Sequence, residues 1–236
     1  MRLDRFISKN TEYGNQEIRQ LIACGRVQVD SKVVTSPRVD VTSFTHVVVD
    51  SKILQATKPY YFMLHKPKGC VSATKDEKHK TVIDLFNETF KDQLHISGRL
   101  DFNTSGLMLL TNDGVWSRSI SQPNSNIPKT YLVETEDPIT AEYQTTFNQG
   151  IYFSYEDITT QPADLEIFTE RTARLTIYEG KYHQVKRMFG YFNNKVVGLH
   201  RECIGSLALD EQLRAGEYRE LTHDELTAFN VRSNEF

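Results

Sequence analysis

The chain has 236 residues, 39% of them hydrophobic and 25% charged, with a formal net charge of -3. Its mean hydropathy is -0.48, and no apolar stretch approaches the roughly 20 residues a membrane span needs, so a membrane protein is excluded as the expectation. The three cysteines, Cys24, Cys70 and Cys203, are too few and too far apart for a disulfide framework or a zinc spacing, which makes a reducing cytoplasm the default.

Residues 2–9 are predicted as a short helix, with Leu3, Phe6 and Ile7 on one face. A second helix is expected over 15–24, with Ile18, Leu21 and Ile22 at helical spacing and Gly25 as its C-terminal stop. Val27 and Val29 alternate with polar residues, Asp30-Ser31 turns the chain, and Val33-Val34 completes a hairpin. Val47-Val48-Val49 is expected to close a small α+β module. Residues 51–58 look like a linker, which divides the chain into 1–58 and 59–236. Met1 to Ile7 lacks the apolar core of a signal peptide.

Beyond Pro59, strands are predicted at 60–64, 107–111, 130–135, 163–168, 173–178 and 195–199. Helices are predicted near 81–88, 113–121, 140–149, 181–192 and 222–230. Strands outnumber helices and no regular βαβ alternation occurs. This is the pattern of an α+β domain on a mixed, mainly antiparallel sheet flanked by helices.

Charge is unevenly spread. Residues 1–58 hold nine Lys/Arg against six Asp/Glu, and residues 171–201 hold seven against one. Two basic islands in an acidic chain fit a local phosphate-binding track, although solvated faces give the same pattern. There is no P-loop, no dinucleotide-binding glycine fingerprint and no His- or Cys-rich metal spacing. No cofactor and no metal are therefore expected.

The segment richest in chemistry is 97–114, Ser-Gly-Arg-Leu-Asp-Phe-Asn-Thr-Ser-Gly-Leu-Met-Leu-Leu-Thr-Asn-Asp-Gly. Gly98 and Gly106 bracket a polar loop that runs into an apolar strand, a rigid mount for a reactive side chain. Arg99 and Asp101 lie two apart and share a direction in extended backbone. Alone, such an Arg-x-Asp is more often a structural ion pair.

The whole run resembles the catalytic motif of the RsuA-type pseudouridine synthases, Gly-Arg-Leu-Asp followed by Thr-x-Gly-Leu and Thr-Asn-Asp-Gly. The likeness extends to Phe62-Met63-Leu64-x-Lys66-Pro67-x-Gly69, to Lys129-Thr130-Tyr131-Leu132-Val133 and to Glu179 through Phe189. It continues in His200-Arg201-Glu202-x-Ile204-Gly205 and in Leu213 through Leu221. The first 58 residues resemble the S4 RNA-binding domain through Arg2-Leu3-Asp4, Ile18-Arg19-Gln20-Leu21-Ile22 and Gly25-Arg26-Val27-Gln28-Val29-Asp30. Asn15-Gln16 stands where that family often has Ser-Arg, and Ser31 where it often has Gly, which removes one expected phosphate contact.

The resemblance implies an isomerase that converts a uridine of ribosomal RNA to pseudouridine without a cofactor. Asp101 matches the essential aspartate, able to attack C1′, add to the uracil ring or remove a sugar proton. Tyr131 matches the active-site tyrosine, whose alternative is a core residue on a strand. Lys186 is expected to pair with the carboxylate, and Arg187 to bind phosphate. Leu175, or Ile177 on the same strand, is expected beneath the base, and Arg99 and Lys129 beside the RNA. Arg2, Arg5, Arg19 and Arg26 are the expected RNA contacts of the first module. The chain is most like the small-subunit enzymes, which implies 16S rRNA, free or in a partly assembled subunit, and a uridine-516 type site, and nothing in the sequence demands more than a monomer. The alternatives are a large-subunit (23S) synthase of the same family, a non-catalytic ribosome-assembly protein and, last, a nucleoside glycosidase.

Overall fold

The computed structural model describes residues 1–154 and 156–229. Its internal contacts separate residues 1–59 from the rest. The first unit opens with helices α1 (Leu3–Asn10) and α2 (Asn15–Ala23). Leu3, Ile7, Ile18 and Ile22 are fully or almost fully buried, the helical spacing read in the sequence. Gly25, just past α2, takes φ +70°, a conformation that an L side chain resists. Four short strands follow: β1 (Val27–Val29), β2 (Lys32–Val33), β3 (Val47–Val49) and β4 (Lys52–Gln55), paired in the order β2-β1-β3-β4.

Strand β4 corrects the expectation of a linker at 51–58. Asp30-Ser31 and Asp50-Ser51 all have positive φ, the mark of a two-residue type I′ hairpin. The chain thus uses Val-Asp-Ser-Lys twice, each time to reverse a strand.

The second unit is built on a nine-stranded sheet. Its elements in chain order are β5 (Tyr61–Lys66), β6 (His95–Ser97), β7 (Ser105–Thr111), α3 (Gly114–Ser121) and β8 (Lys129–Thr135). Next come α4 (Ala141–Gln149), β9 (Tyr152–Phe153), β10 (Ile158–Thr159), β11 (Asp164–Thr169) and β12 (Thr172–Ile177). The last are α5 (Gln184–Gly190), β13 (Val196–Ile204), β14 (Leu207–Ala208), β15 (Tyr218–Glu220) and α6 (His223–Thr227). The sheet order is β11-β12-β8-β13-β7-β5-β15, with β14 on β13 and β6 on β7, while β9 and β10 pair separately.

Among the described residues, one pairing in this sheet is parallel, β13 beside β7. The sheet is therefore mixed and mainly antiparallel, as the strand pattern implied. The parallel contact seats Gly106 opposite Arg201 at φ +114°, where an added Cβ would lie 2.3 Å from the Arg201 carbonyl oxygen. Only glycine allows these strands so close, and the same contact brings Arg201 to the loop that carries Asp101.

Apolar side chains of β5, β7, β8 and β12 pack with α4 and α5 around Leu64, Val133, Phe147, Leu175 and Phe189. Each such side chain removed from water contributes about 1.5–3 kcal/mol. The helix expected over 81–88 is reduced to one 3-10 turn, Ile83–Leu85. Asp84 Oδ2 accepts hydrogen bonds from both the amide and the hydroxyl of Thr81, closing a local turn that competes with a helix. Val82, Ile83 and Phe86 are buried all the same. The helix expected over 222–230 is seen as His223–Thr227, and residue 230 lies outside the described residues. No described helix is long and apolar enough to cross a membrane.

Candidate active site

The loop between β6 and β7 holds Asp101 at the wall of a cleft of about 660 Å³. Its backbone is fixed from below by a lysine. Lys66, at the end of β5, is fully buried and donates hydrogen bonds to the carbonyls of Pro67, Asp101 and Thr104 at 2.9–3.1 Å, with Phe102 at 3.4 Å. Burial pushes its ammonium down to about 8, with Cys70 and then the Asp101 carboxylate opposing that shift. Ser72 exchanges hydrogen bonds with the backbone of Leu100, and the Gly69 amide donates to Phe102. Arg201, almost wholly buried, donates to the carbonyls of Leu107 and Gly98 at 2.8 and 2.9 Å. The loop is thus tied to β5 and β13 by hydrogen bonds, and rigid attachment of this kind keeps a reactive group in place.

The Asp101 carboxylate faces helix α5. Lys186 Nζ donates to Oδ2 at 2.8 Å. His183 Nε2 lies 3.4 Å from Oδ1. Tyr131 of β8, mostly buried, lines the same cleft, together with Ile177, Val185 and Leu199. The cleft therefore has an apolar wall, an aromatic ring and a paired carboxylate, and its volume lies in the ordinary range for small-molecule sites. A flipped nucleobase needs such a pocket: flat surfaces to lie on and one charged group near the sugar.

The remaining expected residues separate into two groups. Lys129, on β8 two residues before Tyr131, lines the cleft, and burial together with the Arg201 cation pushes its ammonium down to about 8. Arg99 is exposed on the cleft's edge and makes no ion pair among the described residues. Leu175 does not reach the cleft: it is fully buried in the sheet core opposite Tyr131, and Ile177, two residues on, supplies the lining. Arg187 also faces away, ion-paired with Glu156 and stacked 3.9 Å over the Phe153 ring. In the first unit, Arg2, Arg5 and Arg19 line a separate cleft of about 410 Å³ with Lys9 and Asn15. Arg2 is paired with Asp4, whose carboxyl it holds below the usual range, and Arg26 donates to the two oxygens of Asp50 from Nε and Nη2.

Lys66, Ser72, His183 and Arg201 take no role in the sequence reading. Lys66 follows the apolar run predicted at 60–64 and His183 stands three residues before Lys186, but neither position by itself points to the loop that carries Asp101. Among the described residues, no group of three or more His, Cys, Asp or Glu is arranged to hold a metal ion.

Comparison with known proteins gives the same direction. Residues 60–191 match the RNA pseudouridylate synthase family. The chain is 53% identical over 227 residues to ribosomal small subunit pseudouridine synthase A of Pseudomonas aeruginosa, covering 96% of this chain and 99% of that protein. It is 43% identical to the Vibrio cholerae protein of the same name, covering 97% and 99%. A crystal structure of pseudouridylate synthase superposes with a TM-score of 0.71 at 40% identity, over 97% of this chain and 99% of that one. With more than half of its length matched by the family and these relatives spanning nearly all of it, the chain belongs to the RNA pseudouridylate synthases.

Proposed function

We propose that this chain isomerises one uridine of 16S rRNA to pseudouridine, at a site of the uridine-516 type, with Asp101 as the essential group. The observation that carries the reading is the meeting of Asp101, Lys186 and Tyr131, from three distant segments, in one cleft. The small-subunit target is supported by 53% identity to a relative named for that subunit. Residues 1–58 act as an S4-like RNA-binding domain and residues 59–236 as the catalytic domain of a cytoplasmic monomer. The RNA is taken free or in a partly assembled subunit.

The reaction breaks the N1–C1′ bond, turns the uracil and joins C5 to C1′. No atom enters or leaves. Asp101 acts as a carboxylate at C1′, at the ring or on a sugar proton, with the Lys186 ammonium hydrogen-bonded to its Oδ2. Tyr131 stacks on the extruded uracil and is placed to assist loss of the C5 proton. Arg99 and Lys129 bind the RNA backbone about the extruded nucleotide.

The test is chemical mapping of pseudouridine in 16S and 23S transcripts incubated with the protein. A single modified uridine in 16S is expected, and Asp101→Asn should slow it at least about a thousandfold. A modified 23S and an untouched 16S overturns the target. No modified uridine, or a fully active Asp101→Asn, overturns the reaction.

A further inference from the structure

The two contacts on Asp101 go to different oxygens: Lys186 takes Oδ2 and His183 faces Oδ1. A lysine is a point charge without a fork. On its own it leaves a carboxylate free to turn, because the terminal torsion of aspartate is broad and roughly two-fold. A second group at the other oxygen removes that freedom.

His183 is built for this position. It precedes α5 at φ +49° and ψ +27°, the left-handed region, which is strained for a residue other than glycine. The turn that imposes it is anchored on both sides. The buried Gln184 side chain donates to Glu179 Oε1 at 2.7 Å and accepts from the Lys181 amide at 3.0 Å. Tyr182, itself exposed, stacks on the imidazole at 3.9 Å and 18°. Strain that the surroundings maintain in this way is found where a side chain must be aimed.

We propose that His183 is a positioning residue for the reaction. Together with Lys186 it forms a two-armed clamp that sets the plane of the Asp101 carboxylate before the base arrives, doing what one guanidinium fork does elsewhere. The proposal rests on Asp101 being the catalytic group.

The test is a two-by-two cycle on the full chain, with a 16S transcript as substrate: wild type, His183→Gly, Lys186→Arg and both together. Glycine keeps the left-handed backbone and removes only the imidazole. His183→Gly should lower kcat ten- to a hundredfold, with KM within about twofold. Lys186→Arg should restore most of that loss in the glycine background, because the guanidinium spans both oxygens, and the two changes should be non-additive. An unchanged kcat in His183→Gly overturns the clamp, since it reduces His183 to a backbone role. Additive effects overturn it as well. Should His183→Gly melt well below wild type, His183→Asn replaces it under the same outcomes. Asn tolerates this backbone, and its shorter side chain stops short of Oδ1. An inactive wild type or an active Asp101→Asn defeats the underlying reaction instead, so the two failures are distinct.

Discussion

Lys129 carries its charge under opposition from both burial and the Arg201 cation, which together hold its ammonium near 8 instead of 10.5. A phosphate beside it favours the protonated form, so RNA binding takes up a proton wherever the free lysine is neutral. Affinity is then full below pH 8 and falls as pH rises above it. Between pH 7 and 9 the Kd for the RNA should rise by up to about tenfold, measured by filter binding at constant salt. Lys66 titrates in the same range, so Lys129→Arg is the control: its guanidinium stays charged and should flatten the profile. Matching pH profiles for the two proteins would assign the effect to Lys66 and remove Lys129 from the phosphate site. At this scale the meeting of Asp101, Tyr131 and Lys186 in one cleft is legible, because each sits in a motif of the family that the sequence resembles. The residues that hold them are not. Lys66 is 35 positions from Asp101 and His183 is 82, and a single sequence carries no signal for contacts at that separation. Of the two residues expected beneath the base, Ile177 lines the cleft and Leu175 does not, since alternation gives the face of β12 but not where the cleft ends.

The hairpin turns show the same limit at the level of elements. Ser31 and Ser51 sit at φ +64° and +66°, where a side chain costs about 1 kcal/mol relative to glycine. The greater freedom of glycine in the unfolded chain takes back part of that gain. Ser31→Gly and Ser51→Gly together should raise the stability of the first unit by about 1 kcal/mol, read as a higher urea midpoint at unchanged m-value. A lower midpoint would mean that the serine side chains contribute contacts that outweigh the backbone strain. The first hairpin was readable because Val27 and Val29 alternate with polar residues and point to a core. The second was not: β4 is an edge strand whose Ile53 is exposed, so it lacks the alternation that marks a half-buried strand. The missing helix at 81–88 has the opposite cause. Its apolar residues are buried as the pattern required, yet the Thr81–Asp84 turn decides the backbone.

Across the whole molecule, a net charge of -3 conceals where the positive charge is available. Residues 171–201 read as the more basic island, but folding brings carboxylates to most of it. Arg174 pairs with Glu202, Lys181 with Glu179, Lys186 with Asp101 and Arg187 with Glu156. The weaker island of the first unit keeps more of its charge. Arg5, Lys9 and Arg19 line one cleft and make no ion pair among the described residues, whereas Arg26 is held on Asp50 by two hydrogen bonds, from Nε and Nη2. Counterion release makes this measurable, because each phosphate contact adds about 0.7–0.9 to the slope of log Kd against log salt. Arg19→Ala should flatten the slope by that amount, whatever the RNA sequence. Arg26→Ala should change it far less, because a guanidinium already satisfied by a carboxylate releases few ions. Equal flattening by both variants would show that the Arg26–Asp50 pair opens on RNA. No change with Arg19→Ala would take the helical face of the first unit out of the footprint and leave binding to the catalytic unit alone.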